Sequence, residues 1–124
     1  MLLQQGRYEL AEQELRRALG ADPQDHMAHA FMGICLPERE KFDEAVEMAR
    51  NAVGLAPDNS FCHYALAVAL FHRDHHATNK KMLFTNLKEF KESEASIQEA
   101  IRIDPYEAMY FAMLSFMPHL MGRY

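Results

Sequence analysis

The sequence predicts an all-α fold, an α-α superhelix (solenoid) built from antiparallel helix pairs. Two observations lead there. One segment pattern recurs three times, each copy ending in proline, and the first two of these prolines, Pro23 and Pro57, stand 34 residues apart. Between the copies a second pattern recurs at a fixed distance after each proline. A period of this length means stacked supersecondary units, none of which buries its apolar face alone.

The first pattern places an aromatic residue (Tyr8, Phe42, Phe90) three positions before a small one (Ala11, Ala45, Ser93). Seven residues later comes an alanine (Ala18, Ala52, Ala100), and five later the proline (Pro23, Pro57, Pro105). At helical spacing the small residues share one face, where a neighbouring helix approaches closely. Leu15, Leu19, Val46, Val53, Ile97 and Ile101 flank them and fill the seam. The residue before each proline is driven out of the helical region, so the helix stops there. Proline then suits the opening of the next helix.

The second pattern reads His29-x-x-Met32-Gly33, His63-x-x-Leu66-Ala67 and Phe111-x-x-Leu114-Ser115. A large apolar residue followed by a small one marks a tight crossing. Pro37 and Pro118 fall late in these helices, where proline kinks or ends them.

These residues resemble the tetratricopeptide repeat. The resemblance covers nearly the whole chain, with histidine or Phe111 where that family often carries tryptophan. It divides the chain into a half repeat at 1–23, a repeat at 24–57, a repeat with an insertion at 58–105 and a half repeat at 106–124. Gln5-Gly6-Arg7-Tyr8 matches Met121-Gly122-Arg123-Tyr124, and both are expected to be the turn inside a repeat. On that reading the chain is a stretch of a longer array.

The insertion arises because Pro57 and Pro105 are 48 residues apart, 14 more than one period. It is expected as a lengthened hairpin with its turn and N-cap at Thr78-Asn79. The alternative is a polar loop from Asp74 to Lys81. The last helix, roughly 107–121, is apolar on nearly every side and is expected to be covered, through self-association of the chain.

Composition narrows the function. Thirteen basic residues against eighteen acidic give a net charge of −5, which argues against a nucleic-acid binder. No apolar run approaches the roughly 20 residues a membrane helix needs. Cys35 and Cys62 lack metal-type spacing and read as small buried hydrophobes in a reducing, cytoplasmic setting. There is no phosphate-cradling glycine loop, no nucleophile motif and no converging pair of carboxylates, so neither catalysis nor a cofactor is expected. Glu38, Glu40, Asp43, Glu44 and Glu47 read as a solvated face. His72, His75 and His76 share a helical face and form a remote metal-ligand candidate; a solvated cluster is the alternative.

The family resemblance implies a protein–protein interaction scaffold whose first helices line a concave groove. Carried over from each proline, the groove positions are Met27, Ala30, Ile34 and Glu38, then Phe61, Tyr64, Val68, Phe71 and His72, then Met109, Ala112, Phe116 and His119. Family members that clamp a C-terminal carboxylate use lysine, arginine and asparagine there, and none occurs in this set. An apolar, partly aromatic groove suits an amphipathic helix or an apolar peptide. Met27, Met32, Met109, Met113 and Met117 either fill the core or lend that surface adaptability. The alternative is a structural segment whose groove is filled by its own array.

Overall fold

The computed structural model describes residues 2–81 and 87–120, with side chains at 6–75 and 91–114. The described residues form six α-helices and no strands: α1 (Leu2–Ala21), α2 (His26–Cys35), α3 (Phe42–Leu55), α4 (Ser60–Lys81), α5 (Leu87–Ile103) and α6 (Ala108–Leu120). A 3-10 turn, Leu36–Arg39, joins α2 to α3. Consecutive helices pack against each other, and α2 also lies against α4. The result is an advancing α-α superhelix. No helix among the described residues is long and apolar enough to cross a membrane.

The tight crossings fall at the small residues. A Cβ built on Gly33 would lie 2.9 Å from the Cβ of Ala49 on α3. In the next hairpin the Ser93 hydroxyl of α5 donates to the Ala67 carbonyl of α4 at 2.8 Å, fully buried. Around these contacts run two apolar clusters. Met32, Leu36, Val46, Ala49, Cys62, Leu66 and Leu70 anchor the larger, with Leu15, Leu19 and Val53 packed on it. Ala67, Ile97, Ala100 and Tyr110 form the smaller. Cys35 and Cys62 are free, buried thiols, and burial pushes both above the ordinary thiol range.

The turns between helices follow a rule. Two residues after the proline an acidic or amide side chain caps the next helix. Asp25 Oδ1 accepts from the Met27 and Ala28 amides, and Asn59 Oδ1 from the Phe61 and Cys62 amides. Each cap satisfies amides that would otherwise lack a partner. Six residues after the proline a histidine returns to it: His29 Nε2–H donates to the Pro23 carbonyl at 3.0 Å and His63 Nε2–H to that of Pro57 at 2.7 Å. The third turn has Phe111 in that place, half-exposed.

Pro37 ends α2, as its ring requires, and opens the 3-10 turn, where its missing N–H is harmless. The next turn needs a left-handed residue, and Glu40 takes it with φ 60°.

Three expectations need correction. Gln5–Tyr8 is not a turn, since α1 runs through it; Leu, Gln and Arg are good helix formers and one glycine costs only about 1 kcal/mol. Thr78-Asn79 is not a turn either. With no glycine or proline to break it, α4 continues to Lys81, and α5 begins at Leu87, so both helices extend into the inserted stretch. The connection lies outside the described residues, as does the Met121–Tyr124 turn. Finally, α6 continues two residues past Pro118.

Candidate functional site

The first helices of the pairs, α2, α4 and α6, carry a row of aromatic rings across the superhelix. Phe31 of α2 meets Phe61 of α4 with ring centroids 5.0 Å apart. Phe61 lies 5.9 Å from Tyr64, one turn further along α4. Tyr64 in turn lies 5.1 Å from Tyr110 of α6. All three contacts fall in the range where tilted rings attract. The Tyr110 hydroxyl is held at 3.1 Å by the Ser60 hydroxyl, so its polar tip is satisfied although the residue is buried. Tyr110 is the floor of the row and Phe31, 45% exposed, its open end.

The residues expected to line the groove divide on inspection. Met27 and Ile34 are half-buried on α2, and Glu38 is exposed on the 3-10 turn. Phe61, Tyr64, Val68, Phe71 and His72 are half-buried along α4. Met109 and Ala112 are exposed on α6. Ala30 is a correction: it is fully buried in the larger core cluster, because a single methyl at that register is covered by its neighbours. The side chains of Phe116 and His119 lie outside the described residues.

Phe31 and Tyr110 belong to the row but were not expected in it. Phe31 follows Met27 by four residues and precedes Ile34 by three, which puts it on the same helical stripe. Tyr110 lies beside Phe111, which the proline spacing had singled out instead.

At the far end of α4, Phe71 sits between two imidazoles, edge-on to His72 at 5.7 Å and stacked on His75 at 5.9 Å. Burial pushes His72 below its ordinary value; the nearby Glu38 carboxylate opposes that and His75 adds to it. Burial likewise raises the Tyr64 phenol, with Tyr110 and Glu107 adding to it. Asp74 is fully buried, and His75 is exposed. Among the described residues no three histidine, cysteine, aspartate or glutamate side chains gather as metal ligands. The His76 side chain falls outside them.

A second hollow, lined by Pro23, Gln24, His29, Arg50, Asn51, Gly54 and Leu55, opens near the start of α2 and the end of α3. Its one cation, Arg50, already forms a bidentate pair with Glu92 of α5. His29 already holds the Pro23 carbonyl. Both side chains are thus engaged in holding the array together.

The chain matches the sequence model of the family described as tetratricopeptide repeat over residues 1–60 and 36–108. No curated protein matches it. Among solved structures it is similar to "MamA 41-end from Desulfovibrio magneticus RS-1", at 21% identity and a TM-score of 0.71, covering 98% of this chain and 60% of that one. It is also similar to "MamA RS-1 ArsTM double mutant", at 21% identity and a TM-score of 0.69, with the same two coverages. A third likeness is to "MamA MSR-1 C2", at 21% identity, a TM-score of 0.63, and 97% and 61% coverage. The chain thus spans about three-fifths of the length of these structures, and at this identity the likeness is one of fold.

Proposed function

The chain belongs to the tetratricopeptide repeat family, and from that premise we propose that it is a protein-interaction scaffold gripping an amphipathic helix or apolar peptide in its groove. The observation that carries this is the row Phe31, Phe61, Tyr64 and Tyr110, which runs unbroken across three helices. Rigid aromatic side chains contribute large contact area at low cost in conformational entropy, which makes them the usual anchors of an interface. Met27, Ile34, Val68, Phe71 and Met109 widen the apolar surface, and the sequence register adds Phe116 to the same set of positions. Glu38 and His72 supply polar contacts at one end. With no lysine, arginine or asparagine among these positions, the groove is not built to clamp a C-terminal carboxylate. The reading assigns the chain no catalytic step and no cofactor. Its frame is the half repeat 1–23, the repeats 24–57 and 58–105, and the half repeat 106–124.

The test is to select peptides from a displayed random library on the immobilised chain and to measure a synthetic winner by fluorescence anisotropy. Tyr64→Ala and Phe71→Ala each weaken binding by roughly 1–3 kcal/mol, while Leu10→Ala, on the exposed face of α1, leaves it unchanged. Unchanged affinity in a folded Tyr64→Ala/Phe71→Ala variant sinks the assignment.

A second reading, self-association through α6, is favoured by the exposure of Met109 (41%) and Phe111 (47%) on that helix. The two residues, two positions apart, leave apolar side chains uncovered on different sides of the helix, which offers apolar surface to a second copy. Sedimentation at rising concentration tests it, and a monomer throughout rejects it.

A further inference from the structure

Glu12 is the only buried side chain among residues 6–21 of α1. Every described apolar side chain of that helix is at least partly open; Leu15 and Leu19 touch the core from its margin, and Leu10 is 62% exposed. By contrast α3 buries Ala45, Val46, Ala49 and Ala52. Beside these marginal apolar contacts, α1 is tied down by charge. The Glu12 carboxylate meets Arg16 of its own helix at 2.6 Å, Arg39 of the 3-10 turn at 2.7 Å and Lys41 at 2.9 Å. Arg16 reaches on to Glu44 of α3 at 2.8 Å, and Arg39 also lies 3.6 Å from Glu9. Beneath this cluster the Cys35 thiol donates to the Tyr8 carbonyl of α1 at 3.4 Å, so α1 itself covers the sulfur.

We infer that α1 is an electrostatically latched helix, with Glu12 the keystone, and that releasing the latch lifts α1 and uncovers the α2–α3 face around Cys35. One carboxylate gathers three cations. Remove it and the three cations lose the carboxylate they share, keeping only the outlying Glu44 and Glu9, so the balance within the cluster shifts from attraction towards repulsion. The cations are 43%, 29% and 39% exposed, so dissolved ions reach them and weaken the latch. Apolar contacts are not weakened by added salt in this way, so the sign of the salt effect separates the two ways of holding a helix. The latch makes access to this face depend on ionic strength, or on any polyanion that competes for the three cations.

The two thiols read the motion separately. Cys35 lies under α1, whereas Cys62 is fully buried in the core formed by α2, α3 and α4. The experiment follows iodoacetamide labelling of the whole chain, with each cysteine peptide quantified by mass spectrometry. Raising sodium chloride from about 20 mM to about 0.5 M is expected to speed Cys35 labelling about tenfold and to leave Cys62 slow, as local opening requires. Glu12→Gln is expected to give the fast Cys35 rate already at low salt. Glu92→Gln breaks a comparable pair between α3 and α5 and is expected to leave the Cys35 rate alone. The salt series needs no variant, so it stands even if Glu12→Gln folds poorly. A Cys35 rate indifferent to salt overturns the latch, and so does a Cys62 rate that rises in step with it, which would mean the whole array opens at once.

Discussion

Gly33 and Ala49 touch more closely than any two side chains could: a Cβ at Gly33 would lie 2.9 Å from the Cβ of Ala49. Neither atom could yield without moving a helix, so the approach of α2 to α3 depends on the missing methyl. Gly33→Ala gains about 1 kcal/mol of helix propensity and loses about 1–3 kcal/mol to overpacking. The expected outcome is a lower midpoint in urea unfolding followed by circular dichroism. A midpoint above that of the parent chain would refute the crossing.

Glu40 presents the opposite case, a residue with a side chain where glycine fits better. Its φ of 60° lies in the left-handed region, and its side chain is exposed. That conformation costs a non-glycine residue roughly 1–2 kcal/mol. Glu40→Gly relieves the strain but loosens the unfolded chain, so a net gain of about 0.5–1 kcal/mol is expected. The same urea assay checks it, and a loss of stability would contradict the turn geometry.

The two histidine clasps set up a comparison within one molecule. His29 and His63 each hold the carbonyl of the proline six residues earlier, while Phe111 stands half-exposed in the same place. His63→Ala is therefore expected to cost about 1 kcal/mol, the net worth of a hydrogen bond, and Phe111→Ala less than half as much. Equal losses would show that the clasp contributes nothing beyond contact area.

Stability should fall with pH in two stages. Burial holds His72 below its ordinary 6.5, so the unfolded chain binds the proton first and stability declines as pH drops from 6.5. Burial raises Glu12, but hydrogen bonds from Lys41 and Arg16 and their charges outweigh it and hold the carboxyl below 4.5. Its contribution is present above 4.5 and is lost as pH falls further. In melting curves across this range, His72→Gln is expected to flatten the first decline and Glu12→Gln the second.

Much of this architecture is legible in the letters alone, because helix stops, caps and close crossings are local demands on residue type. Proline after Asp22, Ala56 and Asp104 ends three helices, and Gly33, Ala67 and Ser93 announce crossings. The places where local reading fails are those where nothing nearby forbids the alternative. A single Gly6 does not stop a helix of good formers, and Thr78-Asn79 offers a turn that α4 passes by.

Register in the sequence marks a stripe of positions along the first helices, but only packing decides which residues on it stay open. Ala30 is on the stripe and sealed, while Phe31, beside it, reaches out to stack on Phe61. Whether a side chain is covered depends on the neighbours that other helices bring over it. The same holds for Glu12, which reads as one more solvated charge in an exposed helix. Only folding gathers Arg39 and Lys41 around it, because Coulomb attraction acts through space and carries no mark in sequence order.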